Sequence, residues 1–295
     1  MQEFSNKIKE QFSNADTLQR LLIINIAVFV IIRVANSFSM LFMSPAFTLL
    51  QVADWLAVPA YLPKLLFKPW TLLTYMFLHW DFFHLLFNML WLYWMGKILT
   101  EYLGPKKLFS TYILGGLSGA VLYIIAYNVF PLFSGALPGA FALGASASVL
   151  AITLAAATLL PDYPIQLLIF GQVKLKWLAL VIVFLDLISI SGSNAGGHIA
   201  HLGGACFGYI YITQLRKGRD LAAGFNKFIA LFKIRKRQKM KVYRSEKGSD
   251  EQFNLNRKNK QERIDMILDK ISKSGYGSLS QEEKDFLFKS SKEDK

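Results

Sequence analysis

The sequence predicts an all-α polytopic membrane protein, a bundle of six transmembrane helices followed by a small helical cytoplasmic tail. Of its 295 residues, 53% are hydrophobic and only 18% are charged, against about 25% charged residues in soluble domains. The mean hydropathy is +0.34. The apolar content excludes a disordered chain, and the single cysteine, Cys206, excludes a disulfide scaffold.

The net charge of +13 is concentrated at the C-terminal end. Residues 1–215 contain 11 Lys and Arg against 8 Asp and Glu, whereas residues 216–295 contain 22 against 12. This contrast predicts a boundary near Arg216. We divide the chain into an N-terminal cytoplasmic segment (1–17), a six-helix domain (18–216), a basic juxtamembrane linker (217–260) and a cytoplasmic helical hairpin (261–295).

Six apolar segments are candidates for membrane spans, because about 20 apolar residues cross a bilayer. They cover residues 18–34, 77–99, 109–130, 143–160, 175–190 and 199–215. If the N-terminus is cytoplasmic, the clusters of Lys and Arg fall on the cytoplasmic side, and only Lys64 and Lys68 lie in an outer connection. The positive-inside rule therefore predicts that both termini are cytoplasmic. The long outer connection 36–70 is apolar and is expected to lie in the lipid interface.

Polar groups inside apolar spans are candidates for function, because they are costly to bury in a bilayer. The four histidines, His79, His84, His198 and His201, all lie in or beside the second and sixth spans. Asn88 follows His84 by one helical turn, so both face the same side. The fourth span opens at Ser146, and the predicted topology brings all of these groups to one depth.

This combination suits hydrolysis by a serine. A serine nucleophile needs a base for its proton and donors for the oxyanion. Ser146 can be the nucleophile, and His84 and Asn88 can be the donors. His201 and His198 compete as the base on spacing alone. The support residues Gly144, Gly204 and Gly208 would allow close helix packing.

Three motifs carry a resemblance to a known family: His84-x-x-x-Asn88, Gly144-Ala-Ser146-Ala and His201-x-x-Gly204-x-x-x-Gly208. Residues 18–216 resemble the rhomboid intramembrane serine proteases, a six-transmembrane-helix bundle. The resemblance selects His201 as the base and adds the Ser146 N–H to the oxyanion site. It implies a Ser–His dyad endopeptidase that cuts transmembrane protein substrates near their outer ends without a metal or cofactor. It also implies a multi-pass protein of a bacterial inner membrane.

The chain departs from the family pattern near the nucleophile. Ala147 stands where glycine is commonest, and Leu150 stands where many members carry an aromatic residue that stacks on the base. We therefore expect the base to be held less firmly. No third acid is evident: Asp81 is expected to cap the second helix, and Asp186 to be a structural partner for a neighbouring helix.

Two other functions remain as alternatives. A non-catalytic membrane chaperone could share the fold. A transporter or channel could use the histidines, but it would predict carboxylates beside them, and the sequence gives no sign of these. A metalloprotease is excluded because no His-Glu-x-x-His is present.

The tail after Arg216 has a separate composition. The basic run Lys233–Lys241 predicts contact with anionic lipid, and no nucleic acid is expected. The segment 248–260 is polar and is interpreted as a linker. Ile264–Ile271 and Phe286–Leu287 predict two helices, broken at Gly275–Gly277, with a capping box that opens the second. This hairpin is expected to dock on a partner or on a second copy as a homodimer.

Overall fold

The computed structural model describes residues 15–42, 48–167, 171–192, 194–232 and 247–293. It divides into two compact units, Met1–Ile234 and Arg235–Lys295, which are treated separately. The described part of the first unit contains one helix for each of the six predicted spans. These helices are α1 (Thr17–Leu41), α5 (Phe82–Leu103), α6 (Pro105–Val129), α7 (Ser146–Leu159), α8 (Leu175–Ile188) and α9 (Ala195–Arg216).

The helix lengths bear out an all-α membrane protein. Three helices, α1, α5 and α6, are long and apolar enough to cross a membrane, and α7 is a shorter apolar helix. The second predicted span began too early, at residue 77. There the chain forms a 3₁₀ turn, Tyr75–Phe77, and α5 starts only after Asp81, whose side chain accepts a hydrogen bond from the His84 N–H. Asp81 is therefore the N-cap, as predicted.

Glycines bring α7 against both α6 and α9. A β-carbon on Gly204 would overlap the carbonyl oxygen of Ala147, and one on Gly208 would overlap the carbonyl oxygen of Ala151. A β-carbon on Gly119, in α6, would lie 2.6 Å from the Ala147 methyl and 2.7 Å from the Ala200 carbonyl oxygen of α9. Gly204 and Gly208 thus lie where α9 approaches the backbone of α7 closely. The Ala147 methyl fits because Gly119 leaves room for it.

Three short helices and two short strands build the connections around this bundle. They are α2 (Leu49–Leu56), α3 (Leu62–Phe67), α4 (Thr71–Thr74), β1 (Val58–Pro59) and β2 (Phe141–Ala142). The two strands pair antiparallel, Val58 with Ala142 and Pro59 with Phe141. The connection after α1 is therefore hydrogen-bonded to the segment that leads into α7. A hairpin of β3 (Pro164–Leu167) and β4 (Gly171–Lys174) joins α7 to α8.

Polar contacts join the helices at the end of the bundle where α6 begins and where α7 and α9 end. The Arg216 guanidinium donates to the carbonyl oxygens of Thr158 and Leu159, at 2.7 and 3.1 Å. The Lys107 ammonium lies 2.9 Å from the Asp220 carboxylate. These contacts join the start of α6 and the ends of α7 and α9. Beyond them, α10 (Ala223–Phe232) packs on α6, with the Phe225 ring stacked on Phe109.

Asp220→Asn is expected to lower stability by less than about 1 kcal/mol, because its pair with Lys107 is partly exposed. Burial raises the pKa of the Asp220 carboxyl, but hydrogen bonds, chiefly from Lys107, outweigh burial and hold it below its ordinary value. The contribution is therefore present above about pH 3.9 and lost as the pH falls through the lower folded pKa. Thermal unfolding at pH 7 and pH 3 measures this loss.

The matched control is Asp162→Asn, because Asp162 pairs with Lys174 and Lys176 at the same end of the bundle but is far more exposed. We expect a smaller change from it at pH 7. Equal changes for both variants, or a pH-independent effect of Asp220→Asn, would contradict the prediction.

The second unit is a helical hairpin, but it begins earlier than expected. Helix α11 (Lys247–Ser274) is followed by a 3₁₀ turn and α12 (Gln281–Glu293). The prediction that residues 217–260 are a linker is therefore wrong where α10 and the first half of α11 are helical. The polar composition of the segment suggested a linker, although Lys, Glu, Gln and Arg all favour helices. The basic run Lys233–Lys241 lies outside the described residues.

Local contacts within the hairpin agree with the sequence. Ser280 and Glu283 form the predicted capping box: the Glu283 N–H donates to Ser280 Oγ, and the Ser280 N–H donates to the Glu283 carboxylate. Ile267 on α11 is buried, and so is Leu279 just before α12. The Lys270 ammonium also lies 2.9 Å from the Glu283 carboxylate. Helices α11 and α12 are thus joined by this ion pair, and a few apolar side chains are buried near it.

Candidate active site

Ser146 is the first residue of α7, and the chain before it is sharply bent. Gly144 has a φ of +129°, which side chains rarely tolerate, and its N–H donates to the Tyr75 carbonyl oxygen at 2.9 Å. Ala145 is the N-cap and supplies no side-chain acceptor. The first backbone N–H groups of α7, including that of Ser146, are therefore without helical partners, at the positive end of the helix dipole.

His84 faces Ser146 from α5. A β-carbon on Gly144 would lie 3.0 Å from His84 Nε2 and 3.4 Å from Ser146 Oγ, so a side chain at this position would press on the His84 ring. The Trp80 N–H donates to His84 Nδ1 at 3.4 Å. In this arrangement Nε2 carries the proton, and a hydrogen-bond donor is directed toward the nucleophile.

Asn88 lies one turn below His84 and is largely buried. One amide hydrogen of Asn88 Nδ2 donates to the His84 carbonyl oxygen at 2.8 Å. That bond fixes the side chain against its own helix and leaves the second amide hydrogen for another acceptor.

His201 lies on α9 and contacts an acid that the sequence did not assign to the site. Asp186 Oδ1, on α8, lies 2.8 Å from His201 Nδ1 and 2.7 Å from His198 Nδ1. No third acid was evident from the sequence, and this contact brings the carboxylate of Asp186 against the candidate base. Asp186 does partner a neighbouring helix, as predicted, but its contact is the candidate base. The available signal was a carboxylate inside an apolar span.

A cavity of about 840 Å³ opens among these helices, and Ser146, His84, Asn88 and His201 all line it. Trp80 and Tyr127 line it as well. Within the described part of the chain, no hydrogen bond joins Ser146 Oγ to His201. In proteases without substrate, such catalytic bonds are often long and tighten on binding. The four groups that the motifs singled out thus meet in one space.

His79 and His198 do not line this cavity. The His79 ring packs edge-on against His84, with centroids 5.1 Å apart, and it is buried. His198 contacts the same oxygen of Asp186 as His201 does. One histidine of each pair, His84 or His201, therefore lines the cavity, and the other does not.

Asp186, His198 and His201 also form a group that could hold a metal ion, since their ligand atoms lie within 4.8 Å of one another. The sequence argument against a transporter, that no carboxylate lies near the histidines, does not hold in the structure. The helices α8 and α9 that carry the group are nevertheless unbroken over their described residues. A transporter site is typically built on broken helices in repeated halves.

An apolar helical bundle around a polar cavity lined by serine and histidine defines an integral membrane protein with a polar internal site. Residues 67–218, about half of the chain, match the family described as Rhomboid domain. The chain therefore belongs to the rhomboid family. Residues 248–293 match a second family, described as a family of unknown function (DUF6576), and this match begins within α11.

Curated relatives agree with the family. The chain is 35% identical over 159 residues to RHOMBOID-like protein 12, mitochondrial, of Arabidopsis thaliana, covering 50% of this chain and 47% of the relative. It is 34% identical over 93 residues to Rhomboid protease GlpG of Salmonella newport, covering 26% of this chain and 33% of the relative. The chain thus spans half or less of the length of these relatives.

Proposed function

We propose that this protein is an intramembrane serine endopeptidase that hydrolyses peptide bonds in or near transmembrane segments of membrane proteins. The observation that carries the proposal is the single cavity lined by Ser146, His201, His84 and Asn88. Each of these groups supplies one function that acyl transfer requires, and no metal or cofactor is needed. The similarity to a protein named a rhomboid protease supports the same activity.

In the proposed mechanism, His201 Nε2 takes the proton of Ser146 as Oγ attacks the scissile carbonyl carbon. The carbonyl oxygen becomes an oxyanion beside the Ser146 N–H, His84 Nε2–H and the free Asn88 amide hydrogen. The His201 imidazolium then protonates the leaving amine, which departs and leaves an acyl-enzyme. Water, deprotonated by His201, hydrolyses the ester and restores Ser146.

The proposed substrates are transmembrane proteins, which reach the cavity within the lipid bilayer. A peptide bond inside a helix is shielded by its own hydrogen bonds, so the segment must be extended at the cleavage point. The orientation follows from the distribution of Lys and Arg: both termini in the cytoplasm and the cavity in the outer half of the membrane. We assign the six-helix domain to residues 18–216, and the location to a bacterial inner membrane.

The tail is proposed to act on the cytoplasmic side. The run Lys233–Lys241 would contact anionic lipid headgroups, and the hairpin α11–α12 would bind a partner or a second copy of the chain. Met266 and Leu268 support this, because both are exposed apolar side chains on α11.

A fluorophosphonate probe tests the proposed activity, because it reacts only with an activated serine. The wild-type protein is expected to be labelled, and Ser146→Ala is not. A rhomboid-like chaperone without catalytic function would give neither labelling nor cleavage of a membrane-reconstituted substrate. A transporter would give no labelling but would carry protons or ions in liposomes.

Asn88→Ala is expected to lower kcat by roughly 10²–10³-fold, the effect of removing one oxyanion donor, with little change in KM. The reason is that the oxyanion exists only in the transition state. The assay is steady-state cleavage of a model transmembrane substrate in proteoliposomes.

The control for this variant is Asn128→Ala on α6. Asn128 makes the same bond to the carbonyl oxygen four residues earlier, that of Ile124, and a second bond to the Ala60 carbonyl oxygen, but it does not line the cavity. We expect its kcat to stay within about threefold of wild type, since surface changes away from a site have small effects. An equal loss in both variants would remove Asn88 from the oxyanion site.

A further inference from the structure

We propose that Asp186 is a positioning residue for His201, so that Ser146, His201 and Asp186 act as a triad rather than a dyad. This inference rests on the proposed function, since it concerns the base of the same reaction. It assigns a role to a residue that the family motifs of the chain do not include. It also explains how the base is held when position 150 carries leucine.

The first step is the contact itself. Asp186 Oδ1 lies 2.8 Å from His201 Nδ1, a distance typical of a charge-assisted hydrogen bond. An ionised carboxylate can only accept, so His201 Nδ1 must carry the proton. The lone pair is then on Nε2, the atom that has to take the proton of Ser146. Asp186 thereby selects the tautomer that is competent as a base.

The second step is the rigidity of the carboxylate. The Asp186 side chain is only 8% exposed, and its Oδ1 also accepts from His198 Nδ1 at 2.7 Å. His198 and His201 are one helical turn apart on α9, so two donors from one helix hold the acid from α8. Because the cavity is lined by His201 and not by His198, we assign His198 to anchoring the acid.

The third step concerns the other use of these residues, a metal site. Donor atoms at about 2.0–2.1 Å from a tetrahedral ion would be roughly 3.3 Å apart. The two nitrogen–oxygen distances, 2.7 and 2.8 Å, are shorter and match hydrogen bonds. Both histidines also use Nδ1 for the acid, so a metal would have to displace the bonds that orient the base. The geometry therefore favours hydrogen bonds from the two histidines to Asp186 over a metal site.

The kinetic test compares three variants in proteoliposomes. Asp186→Asn is expected to lower kcat by at least about 10²-fold and up to roughly 10⁴-fold, as loss of the acid does in a soluble triad. His198→Asn is expected to lower kcat less than Asp186→Asn does, because the acid loses one of its two donors but keeps the bond from His201. Asp162→Asn, an exposed aspartate paired only with lysines, should match wild type.

A spectroscopic readout separates positioning from structural support. The chain has only four histidines, so ¹⁵N-histidine NMR of the inactive Ser146→Ala protein can resolve the tautomer of each. We expect His201 to carry its proton on Nδ1, and Asp186→Asn in the same background to shift it toward Nε2. If the Asp186 variant does not fold, the tautomer of His201 in Ser146→Ala alone decides.

Three results would overturn the inference. They are an Nε2–H tautomer of His201 with Asp186 present, an unchanged kcat for Asp186→Asn with a lower melting temperature, and loss of wild-type activity on treatment with EDTA. The last would indicate a metal at the cluster. If the wild-type protein is not labelled by a fluorophosphonate, the proposed protease function fails, whereas the tautomer measurement still answers the question about Asp186.

Discussion

Ser146→Ala is expected to lower the rate of peptide cleavage by roughly 10⁶-fold, the loss that follows removal of the nucleophile in a soluble serine protease. Among the described residues that line the cavity, Ser146 is the one serine or threonine, and it shares the cavity with His201 and His84. Without its Oγ, no acyl-enzyme can form, and what remains is transition-state binding by the donors. The measurement is single-turnover cleavage of a model transmembrane substrate in liposomes, with the melting temperature recorded in parallel.

Ser148→Ala is the matched control, because it makes the same change two residues further along α7. Ser148 is fully buried and does not line the cavity. We expect it to keep wild-type cleavage within about threefold, since only packing changes. Cleavage by Ser146→Ala at the wild-type rate, with the protein folded, would disprove the assignment of the nucleophile.

Gly204→Ala is expected to destabilise the bundle by about 3 kcal/mol, at the upper end of overpacking effects, and to reduce cleavage severely. The added methyl would overlap the Ala147 carbonyl oxygen, which is backbone and cannot rotate away. Helix α7 must then move from α9, and Ser146 moves with it, away from His201. Chemical or thermal unfolding in detergent measures the stability, and the liposome assay measures the rate.

Gly224→Ala provides the comparison for this substitution. Gly224 also lies in a helix, α10, but no atom lies within 4 Å of its added β-carbon. Alanine there should be neutral or stabilising by up to about 1 kcal/mol, through helix propensity. If Gly204→Ala were as well tolerated as Gly224→Ala, the close approach of α7 and α9 would not be required for folding.

Much of the bundle could be predicted, because a membrane span is recognised from the summed hydropathy of a continuous stretch of residues. Each predicted span overlaps one helix, and Asp81 and Ser280 start their helices as their side chains suggested. Ser146, His84 and Asn88 could be predicted as polar groups within apolar spans, whereas His201 was preferred to His198 only by the family resemblance, because spacing left both open. Gly204 and Gly208 followed from their spacing along the sixth span.

The contact of Asp186 with His201 could not be predicted by the same means. Whether Asp186 meets α9 depends on the rotation of α8 about its own axis, which tertiary packing sets. The pairing of β1 with β2 also joins segments that are far apart in the sequence. With two residues on each strand, no alternation of polar and apolar side chains can be detected. The first half of α11 was missed because its polar residues lack an apolar stripe, and such a helix gives no periodic signal.

The contact between Ala147 and Gly119 has a consequence for how this site can diverge. Their two positions share the volume of a single methyl group, so a change at either alters the surroundings of both. A lineage that regained glycine after the nucleophile would leave a void against α6, costing about 1 kcal/mol. Alanine at position 119 would also overlap the backbone carbonyl oxygen of Ala200, at 2.7 Å, so losing the methyl at 147 would not by itself make room for it. Packing against both α7 and α9 thus closes position 119 to any side chain, before selection on activity acts.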